Sequence, residues 1–390
     1  MIKTVLIKLN HTKIAQYTKF MLMFLLNKIY GVDEKRVVFI SQGGKSYSCN
    51  PRAISEKLHD SSVDYKIIWL LIDPVRVTNI LPKYVISIPK RSFRALKALS
   101  TSKVWVSNHE MPNYVYKGSD QVYIQTWHGD RGFKKVLYDI PRRSNSFQLL
   151  EAKILNVLVV GSNYGEKNLK SAFNFSGSVL NAGCPRNDML INGTRDQVNY
   201  FKTKNNIEPG TMILTYAPTF RDELTLKKTK QTMYGIDLIK IVQTLEAKHN
   251  SKWVCYIRSH QLSDGIVVDG LPGEVFLNGN QIEDMNELLL ISDMLITDYS
   301  SSAGDFILMN KPVILYQQDQ DSYSKKNRGF YFNPDDSPFL IAKNNKELID
   351  IVKDLDQETI LRNCNEVLAF YGAYESGTAS KEVVEYIINQ

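Results

Sequence analysis

Cysteine is scarce in this sequence, with four in 390 residues, at positions 49, 184, 255 and 364. They have neither the close spacing of a zinc site nor the density of a disulfide framework, so a reducing compartment is expected and no metal ligand set stands out. Long apolar runs are missing from the start of the chain. Phe20 to Leu26 is seven residues long, against the roughly 20 that a membrane-spanning helix needs. No small-residue cleavage site follows it, so a signal peptide is not expected either. Acidic residues are absent from 1–32, which carries Lys3, Lys8, Lys13, Lys19 and Lys28 among Ile2, Leu6, Leu9, Ile14 and Tyr17. Two readings follow: an amphipathic segment lying on an anionic membrane surface, or a basic-faced helix packed on the first domain. The net charge of +7, from 48 Lys and Arg against 41 Asp and Glu, suits an anionic ligand or surface. It does not mark a nucleic-acid binder, because no basic stripe interleaved with aromatics and no RNA-binding motif is present.

What the sequence does have is a 43% hydrophobic content, enough for two packed α/β domains. Apolar runs with β-branched residues predict strands at 36–40, 65–72, 85–88, 104–107, 121–126, 155–161 and 179–183. Helices are predicted between them at 51–58, 92–100 and 166–173, an alternation that implies a doubly wound sheet. Periodicity breaks near 190–210, and a second set of strands begins at 211–217 and continues at 253–258, 294–297 and 313–316. The expected organisation is a basic amphipathic segment at 1–32, a first domain at 33–200 and a second at 201–370. A helix at 371–390 is left to pack back on the first domain. The glycine-rich turn Ser41 to Ser48 follows a strand and is a candidate cleft wall, although its spacing is not that of a nucleotide-binding lysine loop.

Polar residues gather where strands end, which is where α/β sheets hold ligands. His128 closes Gln125-Thr126-Trp127-His128-Gly129 and is either a general base or a hydrogen-bonded structural imidazole. Lys134 and Lys135 follow it, facing an anion or solvent. In the second half, Thr219 and Arg221 follow one strand and Arg258-Ser259-His260 ends another. Asp298-Tyr299-Ser300-Ser301-Ser302 joins a buried strand to an apolar helix in a βαβ unit. Its serines either cap the helix or hold a phosphate at its N-terminus. Lys325 to Tyr331, with Arg328, is basic and aromatic. Arg, His and Ser facing one another across an interdomain cleft suggest a diphosphate ligand.

Taken in order, Ser41 to Pro51, Gln125 to Gly129, Gly183-Cys184-Pro185-Arg186-Asn187-Asp188, Ala217 to Asp222, Arg258 to His260, Asp284 to Leu289, Ile296 to Ser301 and Arg328 to Tyr331 resemble the CDP-glycerol glycerophosphotransferases of teichoic-acid synthesis. The resemblance implies an α/β, GT-B-like fold of two doubly wound Rossmann-like domains facing across a cleft. It also implies peripheral attachment to the cytoplasmic face of the cell membrane. The donor would be CDP-glycerol, the acceptor a lipid-linked saccharide or polyol-phosphate chain, and the leaving group CMP. By motif, His128 is the base and His260 contacts or protonates the donor's diphosphate. Ser300 and Ser301 hold phosphate oxygens, Arg328 neutralises the leaving group, and Thr219, Arg221 and Asp298 complete the donor pocket. Such a site needs no cofactor, and transfer without a metal ion is expected. Two departures stand out: Asp130-Arg131-Gly132-Phe133-Lys134 replaces the family's usual Thr-Pro-Leu-Lys, and Ser259 stands where proline is common. Asp130, Arg131, Lys134 and Lys135 are accordingly the acceptor-side candidates. CDP-ribitol as donor, or a nucleotide sugar on an ordinary GT-B glycosyltransferase, are the competing readings, and the sequence does not separate a primase from a polymerase.

Overall fold

The computed structural model describes residues 12–141, 150–219, 235–258, 271–320 and 329–390. Two sheets form, every paired strand parallel to its neighbours. The first has β1 (Asp33–Ile40), β2 (Lys66–Leu71), β3 (Ile86–Pro89), β4 (Ser102–Ser107), β5 (Val122–Gln125), β6 (Val157–Val159) and β7 (Ser178–Leu180), in the order β3-β2-β1-β4-β5-β6-β7. The second has β8 (Met212–Ala217), β9 (Trp253–Ile257), β10 (Phe276–Asn278), β11 (Met294–Thr297), β12 (Val313–Tyr316) and β13 (Leu340–Ala342), in the order β10-β9-β8-β11-β12-β13. Both domains of the expected GT-B-like fold are therefore present. The edge strands β10 and β13 escaped the sequence reading because each has only three residues and is partly exposed.

Central strands carry buried apolar runs, such as Val37–Ile40 in β1 and Val104–Val106 in β4, because both faces of each sheet are covered. Successive residues of β1 point to opposite faces, so Val38 and Ile40 enter one core while Val37 and Phe39 enter the other. Each sheet also has a point where the chain, after winding one way, returns to wind the other: between β1 and β4, and between β8 and β11. Ligand crevices form at the carboxyl ends of strands flanking such points. The loops after β1, β4, β5, β8 and β11 are thus the ones the topology assigns to the site.

The helix Ala379–Ile388 buries Ala379, Val383, Val384 and Ile387 in the first domain's core, after the chain has traversed the second. Near the other terminus, the helix Lys13–Tyr30 is capped by Thr12, whose Oγ1 accepts from Ala15 N at 3.2 Å. Met23 and Leu26 are buried, Phe20 and Phe24 meet Tyr116 edge-on, and Asn27 Nδ2 donates to Ser100 O at 2.8 Å. At 100° per residue, Ile14, Leu25 and Ile29 lie on the opposite face, where they are 49–81% exposed, and Tyr17, at the edge of the packed stripe, is 66% exposed. No helix among the described residues is long and apolar enough to cross a membrane.

Candidate active site

A cleft of about 740 Å³ is lined by both domains. On the first domain's side it is organised by the turn after β5. Trp127 has a left-handed backbone, φ +47°, which in a bulky residue costs on the order of 1–3 kcal/mol. Its surroundings hold that conformation. Gln125 Oε1 accepts from Trp127 N at 2.9 Å, Asn50 Nδ2 donates to Trp127 O at 3.0 Å and Thr126 O at 3.2 Å, and the indole packs edge-on against Phe173. The turn delivers His128 with Nδ1 2.6 Å from Asn108 O. A carbonyl only accepts, so Nδ1 carries the proton and Nε2 the lone pair, the tautomer a general base needs. Asn108 also braces the glycine-rich loop, its Oδ1 accepting from Gln42 N at 2.7 Å and its Nδ2 donating to Ser41 Oγ at 3.3 Å.

On the facing wall, β11 leads into Asp298. Its buried carboxylate accepts from Thr219 N at 2.9 and 3.1 Å and from Tyr299 N, so it fixes the loops after β8 and β11 to each other. Asp298, expected in the donor pocket, thus stands just behind the cleft wall, its carboxylate accepting from these backbone amides. Thr219, Ser300 and Ser301 do line the cleft. Ser300 Oγ accepts from Ser302 N at 3.3 Å and from Ser302 Oγ at 2.9 Å, a local cap, whereas Ser301 makes no side-chain cap bond. The helix that follows is short, five residues at Ser302–Phe306 before a 3₁₀ turn to Met309. The two walls nearly touch beside His128, since a Cβ on Gly129 would sit 3.3 Å from Ser301 Oγ. His128 and Ser301 are thus on adjoining edges of one cleft.

Lys134 lines the cleft, and the strand-like stretch Phe133 to Lys135 is bridged to the second domain. Lys135 N donates to Gly329 O at 3.0 Å, and Tyr331 N to Phe133 O at 2.9 Å. Arg221, His260 and Arg328 lie outside the described residues.

Asp130 and Arg131 correct the acceptor-side expectation. Arg131 is 1% exposed. Its Nη2 lies 2.7 Å from Glu375 Oε1 and 2.9 Å from Asp305 Oδ1, and its Nε donates to Gly304 O at 3.0 Å. Asp130 borders the cleft, but its carboxylate is turned inward to Gly161 N at 2.9 Å and Ser162 Oγ at 2.6 Å. Burial raises the Asp130 carboxyl. At Asp305 burial acts the same way but is outweighed by the guanidinium groups of Arg186 and Arg131, which hold it below the usual range. Arg186 approaches Asp305 Oδ2 at 2.8 Å, and Asn187 Nδ2 donates to both Asp305 and Glu375 at 3.0 Å. These residues form a buried junction between the His128 loop, the serine helix and the C-terminal segment.

Sequence reasoning missed Asn50, Asn108 and Gln125 as supports of the His128 turn, and Asp284 as a domain tie. Asp284 Oδ2 accepts from Cys49 N at 3.0 Å, and Arg52 of the same helix reaches Glu287 at 2.6 Å. The signal available was only that Asn50 and Asp284 begin helices, where such residues usually cap.

Two doubly wound domains with strand ends converging on a histidine and serine loops define a GT-B-type transferase. More narrowly, the chain belongs to the CDP-glycerol:poly(glycerophosphate) glycerophosphotransferase family, which it matches over residues 21–389. It is 30% identical over 400 aligned residues to a Staphylococcus aureus teichoic acid glycerol-phosphate transferase, covering 98% of this chain and all of that one. It is 28% identical to the Bacillus subtilis teichoic acid poly(glycerol phosphate) polymerase over 94% of its own length, and spans 50% of that relative. Among solved structures, the wall teichoic acid polymerase TagF superposes with a TM-score of 0.84 at 29% identity, covering 99% of this chain and 96% of that one. The S. aureus MnaA–UDP structure shares the fold alone, with a TM-score of 0.52 and 14% identity over 91% of this chain and 97% of that one.

Proposed function

We propose that the protein transfers glycerol phosphate from CDP-glycerol to a hydroxyl of a lipid-linked or polymeric acceptor, as a step in teichoic-acid-like polymer synthesis. The observation that carries this reading is His128, held by Asn108 O as the Nδ1–H tautomer against the serine loop of the other domain. The acceptor oxygen attacks the phosphorus bearing glycerol, and its proton passes to His128 Nε2. The bond from that phosphorus to the CMP oxygen breaks, and CMP leaves with the electron pair. Ser300 and Ser301 supply hydroxyls to the phosphate oxygens, with Thr219 beside them. By motif, His260 and Arg328 meet the charge on the diphosphate and on CMP. A variant of TagF has been soaked with CDP-glycerol, which supports the choice of donor. The experiment is CMP release from CDP-glycerol, CDP-ribitol and UDP-sugars with a lipid-linked acceptor, with and without chelator. CDP-glycerol is expected to be used best and the chelator to leave its rate within about twofold, cationic side chains doing a metal's work. Turnover of UDP-sugars alone would overturn the reading, and loss of activity restored by magnesium would overturn its metal-free part.

The same proposal places the protein on the cytoplasmic face of the membrane. The outward side of Lys13–Tyr30, with Ile14, Leu25 and Ile29 flanked by Tyr17 and Lys28, is the surface suited to an anionic leaflet.

A further inference from the structure

Lys90 is an ammonium with few partners for where it sits. Its Nζ donates to Gly43 O at 2.6 Å and makes no other hydrogen bond or ion pair among the described residues. The stem is packed under the glycine-rich loop, since a Cβ on Gly44 would stand 2.9 Å from Lys90 Cδ. Burial pulls Lys90 down to about 8, and the charges of Arg91 and Lys45 act in the same direction. No acidic residue occurs between Asp73 and Glu110, and Glu110 stands by His109, Oε2 4.0 Å from Nδ1. A desolvated cation beside two more, with no carboxylate to balance them, costs free energy that an anion would recover.

The cluster joins two parts of the molecule. Lys45 lines the cleft. At the other end, Lys19 Nζ of the helix Lys13–Tyr30 lies 4.7 Å from the centroid of the Tyr114 ring. Burial raises the Tyr114 hydroxyl, and Arg91 opposes that rise. The helix Phe93–Thr101 starts two residues after Arg91, and the positive end of its dipole adds to the field. Positive charge thus runs from the N-terminal helix to the rim of the cleft. A guanidinium with two ammonium groups is a donor set that fits a phosphate.

We propose that Lys45, Lys90 and Arg91 hold a phosphate group carried by a membrane lipid, which places the lipid's head at the edge of the cleft. This rests on the transferase and membrane readings above and adds a lipid-phosphate site to them. The phosphate belongs either to a phospholipid of the leaflet or to the lipid end of the acceptor; both present the same anionic oxygens at the membrane surface.

The test compares Arg91→Gln and Lys90→Gln with Lys83→Gln, which removes one charge from an exposed position of the same domain outside the cluster. One arm measures binding to phosphatidylcholine vesicles with and without phosphatidylglycerol. The other measures, by CMP release, KM for a lipid-linked acceptor in phosphatidylcholine vesicles and for the same saccharide without lipid or phosphate. Loss of one charge-assisted hydrogen bond is expected to weaken binding about tenfold. A tenfold loss of phosphatidylglycerol binding identifies the phospholipid as the source, and a tenfold rise in KM for the lipid-linked acceptor alone identifies the acceptor. Lys90→Arg, which keeps the charge, retains more binding than Lys90→Gln in the affected arm. Arg91 is exposed, so its variant reads the site even where Lys90→Gln fails to fold. Variants indistinguishable from Lys83→Gln in both arms overturn the proposal. Failure of the transferase reading shows separately, as absence of CMP release by wild type, and leaves the vesicle arm to decide.

Discussion

Glu151 lies behind the His128 turn and shows how single buried groups set its behaviour. It is fully buried, Oε1 accepts from Met111 N and Tyr123 OH, and Oε2 has no hydrogen-bond partner. Tyr123 OH in turn accepts from Gln125 Nε2 at 2.8 Å, which connects Glu151 to the residue bracing Trp127. Burial raises the Glu151 carboxyl to about 7. Between the ordinary glutamate value of about 4.3 and that point the folded protein binds the extra proton. Stability therefore falls as pH rises through this window, by up to about 3 kcal/mol. Glu151→Gln is expected to flatten this drop, giving urea midpoints at pH 5 and pH 8 that differ less than those of wild type; an unchanged difference contradicts it. His128, Ser300 and Ser301 were legible in the sequence because reactive residue types fell at predicted strand ends. Asn108 and Glu151 were not, because their roles depend on which carbonyl or amide the fold brings within 3 Å, and no spacing along the chain encodes that.

At the scale of elements, internal strands such as β1, β8 and β11 were readable as continuous apolar runs, and the βαβ unit from Met294 to Tyr316 keeps the predicted bounds of both its strands. The loop after His128 was misread because a charged Asp-Arg pair usually faces solvent, while here Gly304 and Gly165 leave room for it to be buried. A Cβ on Gly304 would stand 2.7 Å from Arg131 Cβ, and one on Gly165 would collide with the Asp130 carboxylate. This junction couples the His128 loop to the serine helix. Arg131→Met leaves Asp305 and Glu375 without that partner and is expected to cost about 3–5 kcal/mol, read as a lower denaturation midpoint. A midpoint unchanged within error would show that the junction carries no such energy.

Across the whole molecule, the chain crosses from the first domain to the second and returns, so that Ala379–Ile388 shares a core with β1 and β2. The outward face of Lys13–Tyr30 sits on that same first domain. Replacing Tyr17, Leu25 and Ile29 by serine touches little of its packed side and is expected to cut binding to anionic vesicles at least about tenfold. Transfer to a soluble acceptor should persist, and undiminished vesicle binding would move the membrane surface elsewhere. The central claim, that the two domains meet so that His128 takes the acceptor's proton, is tested most directly by His128→Asn. Asparagine can still donate to Asn108 O but cannot accept the proton. CMP release from CDP-glycerol in the presence of acceptor is predicted to fall at least about 100-fold, with KM for CDP-glycerol changed little; a rate within a few-fold of wild type would contradict it.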